Sequence, residues 1–78
     1  MSNMPVIPSK DFLRLLLKYG CIELRSKGSH FRIENLENGC RATIPVHGKR
    51  DIGDALSKAI LVQLGIDVNK FIEFIRNS

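Results

Sequence analysis

The sequence predicts an α+β fold of the order αβββαα. Three observations carry this: two segments with apolar residues at helical spacing, each stopped by a glycine; three alternating apolar and polar runs between them, joined by short turn-forming stretches; and a last apolar helical stripe near the C-terminal end. Three consecutive strands with short connections make an antiparallel meander, and helices packed on one face of such a sheet leave the other face open. At 78 residues the chain is read as a single domain, 1–78. A domain this small buries only ~60% of its unfolded surface and gains from a partner.

Residues 1–8 hold two prolines and no periodic pattern, so they are read as an extended lead-in, frayed at its start. Ser9 suits an N-cap, and Phe12, Leu13, Leu16 and Leu17 with Tyr19 form an apolar stripe, with Lys10, Arg14 and Lys18 on the opposite side. Gly20 ends this helix. Residues 21–25 read as a strand with Ile22 and Leu24 on one face and Glu23 and Arg25 on the other. Residues 26–28 form the turn, and residues 29–34 the second strand. Asn38-Gly39 marks the second turn, after which Cys40, Ala42 and Ile44 alternate with Arg41 and Thr43 in a strand over 40–46 that Pro45 interrupts. A polar loop, 46–51, leads to a helix over 52–64 whose stripe is Leu56, Ala59, Ile60, Gln63 and Leu64. Gly65 stops it, Asp67 caps the next, and Val68, Phe71, Ile72 and Ile75 face inward over 68–76.

The chain has 12 basic and 8 acidic residues, a formal charge of +4, and such a surplus favours polyanions: RNA, DNA or an acidic protein surface. An apolar share of 44% and a charged share of 26% are those of a folded globular protein. No apolar run approaches the ~20 residues of a membrane span, and no secretory pattern opens the chain, so a cytoplasmic location without membrane contact is expected. Cys21 and Cys40 fit no zinc spacing and would lie ~9.5 Å apart on the outer strands, so they are read as reduced thiols. No metal and no cofactor is expected.

The stretch Arg25-Ser26-Lys27-Gly28-Ser29-His30-Phe31-Arg32 concentrates a glycine-bearing turn, three cations and an imidazole. Histidine is the one side chain that both takes and gives a proton near neutral pH. Phe31 and Ile33 alternate with His30 and Arg32, so apolar groups turned to the core send the imidazole and guanidinium outward together. His30 is thus the catalytic candidate, and Lys27, Gly28 and Ser29 with Arg25 and Arg32 are the candidate phosphate-binding residues. Read blandly, the same residues are a surface histidine beside an ordinary turn.

The order of elements, with Lys27-Gly28-Ser29-His30 on the first hairpin, Ile44-Pro45-Val46-His47 leaving the third strand and the segment from Leu56 to Ile66 across the second helix, resembles the HicA toxin family over nearly the whole chain. The resemblance implies a fold similar to a double-stranded RNA-binding domain, a metal-free mRNA interferase acting on single-stranded mRNA, and a HicB antitoxin that blocks the site. The family's Gly-Ser-His element falls on Gly28, Ser29 and His30, and its Pro-x-His element on Pro45 and His47. Phe31 stands where many members have a second polar or histidine residue, and Gly53-Asp54-Ala55-Leu56 replaces the usual Gly-Thr-Leu opening of the second helix. His47 is either a second proton-transfer group or a loop histidine bonded to nearby backbone. Two other classes fit the same composition: a non-catalytic basic RNA-binding module, and an interaction protein whose basic face meets an acidic partner.

Overall fold

The alternating runs and glycine stops become α1 (Ser9–Tyr19), β1 (Cys21–Lys27), β2 (His30–Asn35), β3 (Arg41–Pro45), α2 (Asp54–Gln63) and α3 (Val68–Arg76) in the computed structural model, which describes residues 4–78. The strands form one antiparallel sheet in the order β1-β2-β3, the α+β meander the sequence predicts. Residues 1–3 of the predicted lead-in lie outside the described residues. The rest of that lead-in is tied down: Met4 is buried, Pro8 bridges Asp51, and the Ile52 N–H donates to the Ile7 carbonyl at 3.2 Å.

The register of β2 decides both faces of the sheet. Phe31 lies opposite Ile44 and Ile33 opposite Ala42, and of these Ile33, Ile44 and Ala42 are buried. The alternate positions, His30, Arg32 and Glu34, lie opposite Pro45, Thr43 and Arg41 on the other face. The helices α1 and α2 pack against the sheet, and α3 packs against both of them, so the core holds residues of all three helices and all three strands.

β1 differs from expectation. It runs on to Lys27, and its register shifts between Glu23 and Arg25, leaving Leu24 as an extra residue in a bulge. A bulge bends its strand and breaks the two-residue alternation. Only Cys21 is buried, while Ile22 and Leu24, expected to share one apolar face, stay 38% and 40% exposed. The turn moves with it: Lys27 pairs with His30, so the loop is Gly28-Ser29 rather than 26–28. Gly28 has φ +61, the positive value that the first residue of the favoured two-residue hairpin turns adopts.

The helix ends show which side chains do the capping. Pro8, not Ser9, is the N-cap of α1, without a side-chain bond, and Ser9 is buried at 2% exposure for a different purpose. α1 turns Phe12, Leu13, Leu15 and Leu16 inward, with Leu17 left at the margin. The inward face of α2 is Ser57, Ile60 and Leu61, so its stripe is rotated from the expected one and leaves Leu56 and Ala59 exposed. The Asp54 carboxylate at its start accepts from the Met4 N–H at 3.2 Å and pairs with Lys58 at 3.1 Å. The Lys58 bond, foremost, holds that carboxyl below its ordinary value. At the other end of α2, the Asn35 and Asn38 amides both donate to the Leu64 carbonyl, at 2.9 and 3.0 Å. Gly65, at φ +68, has no room for a Cβ beside Asn38.

Asp67 caps α3 as expected, accepting from the Lys70 N–H at 3.0 Å. Phe71 of α3 meets Phe12 at 5.8 Å and Tyr19 at 5.3 Å, both edge to face. Both cysteines are free thiols, and burial pushes that of Cys21 up. Among the described residues no helix is long and apolar enough to cross a membrane. Phe71 is fully buried at the junction of α1 and α3, so Phe71→Ala is expected to cost about 3–5 kcal/mol. Urea denaturation followed by circular dichroism measures it.

Candidate active site

Two turns bring the candidate residues together. The first is Gly28-Ser29, whose positive φ at Gly28 starts β2 at His30. The second follows β3, where the Val46 N–H donates to the Ser29 carbonyl at 2.7 Å. One residue later the chain leaves the sheet. There the His47 N–H donates to the buried Ser9 Oγ at 3.2 Å, the Ser9 N–H donates to the Arg50 carbonyl at 2.7 Å, and the Arg50 N–H closes a turn on the His47 carbonyl at 3.0 Å. Ser9 thus holds both ends of the turn that carries His47.

The result is a pair of imidazoles. The rings of His30 and His47 lie 6.4 Å apart, centroid to centroid, edge to face at 84°, and both residues are exposed. No hydrogen bond joins the two rings among the described residues. Of the features named for His47, a bond at its backbone N–H is present, and its ring lies edge to face with that of His30.

The cations fall where the register sends them. Lys27 is the cross-strand neighbour of His30, and Arg25 that of Arg32. The Arg32 Nη1 donates to Thr43 Oγ1 at 3.3 Å, which holds the guanidinium over the sheet. Among the described residues none of Arg25, Lys27, Arg32, Lys49 or Arg50 has a carboxylate at ion-pair distance, whereas Arg41 is matched by Glu34 at 2.9 Å. The open face beside the histidines therefore carries uncompensated positive charge. In water such cations bind an anion by charge rather than by shape. Gly28 and Ser29 act here through backbone, one by its dihedral and the other by its carbonyl. No group of three or more His, Cys, Asp or Glu side chains converges among the described residues.

Ser9 is the residue that sequence reasoning misplaced. A serine before a helical stripe reads as a cap, and only the three-dimensional approach of the loop at 47–50 shows its other use. Thr43 likewise shows in the sequence only as the polar half of an alternation.

A model of the family described as HicA toxin of bacterial toxin-antitoxin matches residues 9–66. The chain is also similar to a curated protein of Pseudomonas fluorescens (strain Pf0-1), "Probable mRNA interferase HicA", with 38% identity over 56 residues, 72% of this chain and 90% of that protein. No solved structure matches it significantly. The matched span begins at Ser9 and takes in both histidines.

Ser9→Ala removes the acceptor of the His47 N–H. The expected loss is about 1 kcal/mol in a urea titration. The His47 amide should then exchange with solvent about fivefold faster, the factor that this energy gives.

Proposed function

The chain belongs to the HicA toxin family of bacterial toxin–antitoxin systems, and on that premise we propose that it is an endoribonuclease that cuts single-stranded mRNA with histidine side chains and no metal. The observation that carries this reading is the edge-to-face pair of His30 and His47, set among uncompensated cations. Cutting RNA with its own 2′-hydroxyl as nucleophile needs two proton transfers and a stabilised phosphorane. One imidazole takes the 2′-OH proton as the O2′–P bond forms. The other gives its proton to O5′ as the P–O5′ bond breaks, which leaves a 2′,3′-cyclic phosphate and a free 5′-hydroxyl. The two rings share one exposed patch without bonding each other, so both can address one phosphodiester.

Each positioned acid or base contributes ~10²–10⁴ in rate, and fixed charge at the developing oxyanion adds to it. Lys27 and Arg32, on the same face as His30, supply that charge. Arg25 extends it along β1. The inhibitory partner in this reading is a HicB-type antitoxin, whose contact would cover the histidine pair and stabilise a small domain by mass action.

His30→Ala and His47→Ala should each lower kcat/KM by ~10²–10⁴, read as cleavage of a defined single-stranded RNA in EDTA on a denaturing gel. The wild-type pH profile should be bell-shaped, and His47→Ala should lose one limb. RNA retained uncut by the wild type would make the protein a binding module instead. In a separate salt titration with the inactive His30→Ala protein, a further Lys27→Ala change should reduce the slope of log affinity against log salt by about 1.

A further inference from the structure

The rotation of α2 that leaves Leu56 and Ala59 outside has a counterpart across from it. Between α2 and β3 lies an open groove of about 580 Å³, within the ~300–1,000 Å³ of sites that take small organic ligands. The helix side offers Leu56 and Ala59 with Gln63 one turn on, and the sheet side offers Thr43 and Arg32. Leu56 is 43% exposed, an apolar wall open to solvent. The Gln63 carboxamide has no hydrogen-bond partner among the described residues.

Arg32 belongs to both places. It sits two residues from His30 on the same face of β2, ~6.6 Å along the strand, and its side chain lines the groove while bonded to Thr43 at 3.3 Å. The other guanidinium on that rim, Arg41, is already matched by Glu34 at 2.9 Å. Positive charge free to bind an anion is therefore at the junction of groove and histidine pair, and the groove beyond it combines an apolar wall with an amide and a hydroxyl. That sequence of features complements a nucleotide: an anionic linkage, then a flat apolar ring with a polar edge.

We propose that the groove is the nucleobase subsite next to the scissile linkage, with the base against Leu56 and Ala59, its polar edge towards Gln63 and Thr43, and the connecting phosphate on Arg32. The proposal rests on the ribonuclease reading above and adds a source of base preference to it. Phosphate contacts position an RNA without reading it. A carboxamide offers both donors and an acceptor and discriminates between bases.

The test titrates isotope-labelled full-length protein with 2′-O-methylated tetranucleotides that differ in one base at a time, monitored by amide resonances. These ligands lack the nucleophile and cannot be cut, so the result is independent of catalysis. Resonances of Ala59 and of the Gln63 side chain should shift along with that of His30, with affinities about tenfold apart between the best and worst base. Gln63→Leu should bring that ratio to within about twofold, and Ala59→Trp, which fills the groove, should weaken the best ligand about tenfold. Both positions are exposed, and an otherwise unchanged spectrum verifies the fold of each variant. Shifts confined to the hairpin and the loop at 46–51, no shift at all, or an Ala59→Trp affinity equal to wild type would overturn the proposal; an antitoxin segment found in the groove with RNA affinity unaffected would do the same. Failure of the unmodified wild type to cut RNA, with these shifts and base ratios present, would sink the ribonuclease reading and leave the groove a base-binding site with no scissile linkage beside it.

Discussion

The register of β2 between its two neighbours is the constraint on which the rest of the molecule depends. One alignment sends Phe31, Ile33 and Asn35 to the helices and His30, Arg32 and Glu34 to the other face. A slip of one residue would exchange the two sets, placing an imidazole and a guanidinium against Phe12 and Leu16 and the apolar side chains in water. The core therefore enforces the site without touching it. Its largest members, Phe12 and Phe71, are fully buried, and the packing they contribute counts against any register that turns His30 inward.

The two histidines are positioned by different means. His30 is fixed by a tight turn and a sheet ladder, both local. His47 follows Pro45, the last paired residue of β3, and is held by backbone and hydroxyl contacts from the start of α1. The charge around them is arranged by pairing as much as by composition. Glu34 matches Arg41 and Asp54 matches Lys58, and the cations left over stand beside the imidazoles. A net charge of +4 understates how positive that face is.

Much of this was legible in the sequence. The alternation in β2 and β3, the glycines that end α1 and α2, the Asp67 cap and the outward direction of His30 all follow from period and turn chemistry, and the family resemblance placed the two histidine motifs. The bulge at Leu24 was not legible, because an extra residue in an edge strand leaves the apolar and polar letters alternating while the backbone beneath them changes phase. The inward face of α2 was misjudged for a related reason. A short helix with apolar residues on more than one side, here Leu56, Ile60, Leu61 and Val62, does not announce which side will be covered. The closeness of His30 and His47 rests on the Val46–Ser29 bond and on Ser9, 38 residues before His47, and pairings at such distances leave no periodic trace. The candidate residues accordingly come from the hairpin and from the loop after β3, which only the folded chain brings side by side.

The hold of Ser9 on the loop at 47–50 also determines when the histidine pair exists. The three strands are joined by neighbouring turns and the Val46–Ser29 bond keeps the start of the loop at the hairpin, whereas the rest of the loop is held through Ser9 at the start of α1. Local opening of the N-terminal end of α1 is expected to loosen the loop that carries His47 while the sheet stays paired. The geometry at His30 and His47 is therefore a joint property of the sheet and of α1, and an imidazole–imidazole contact measured in solution would report the docking of α1 on that loop.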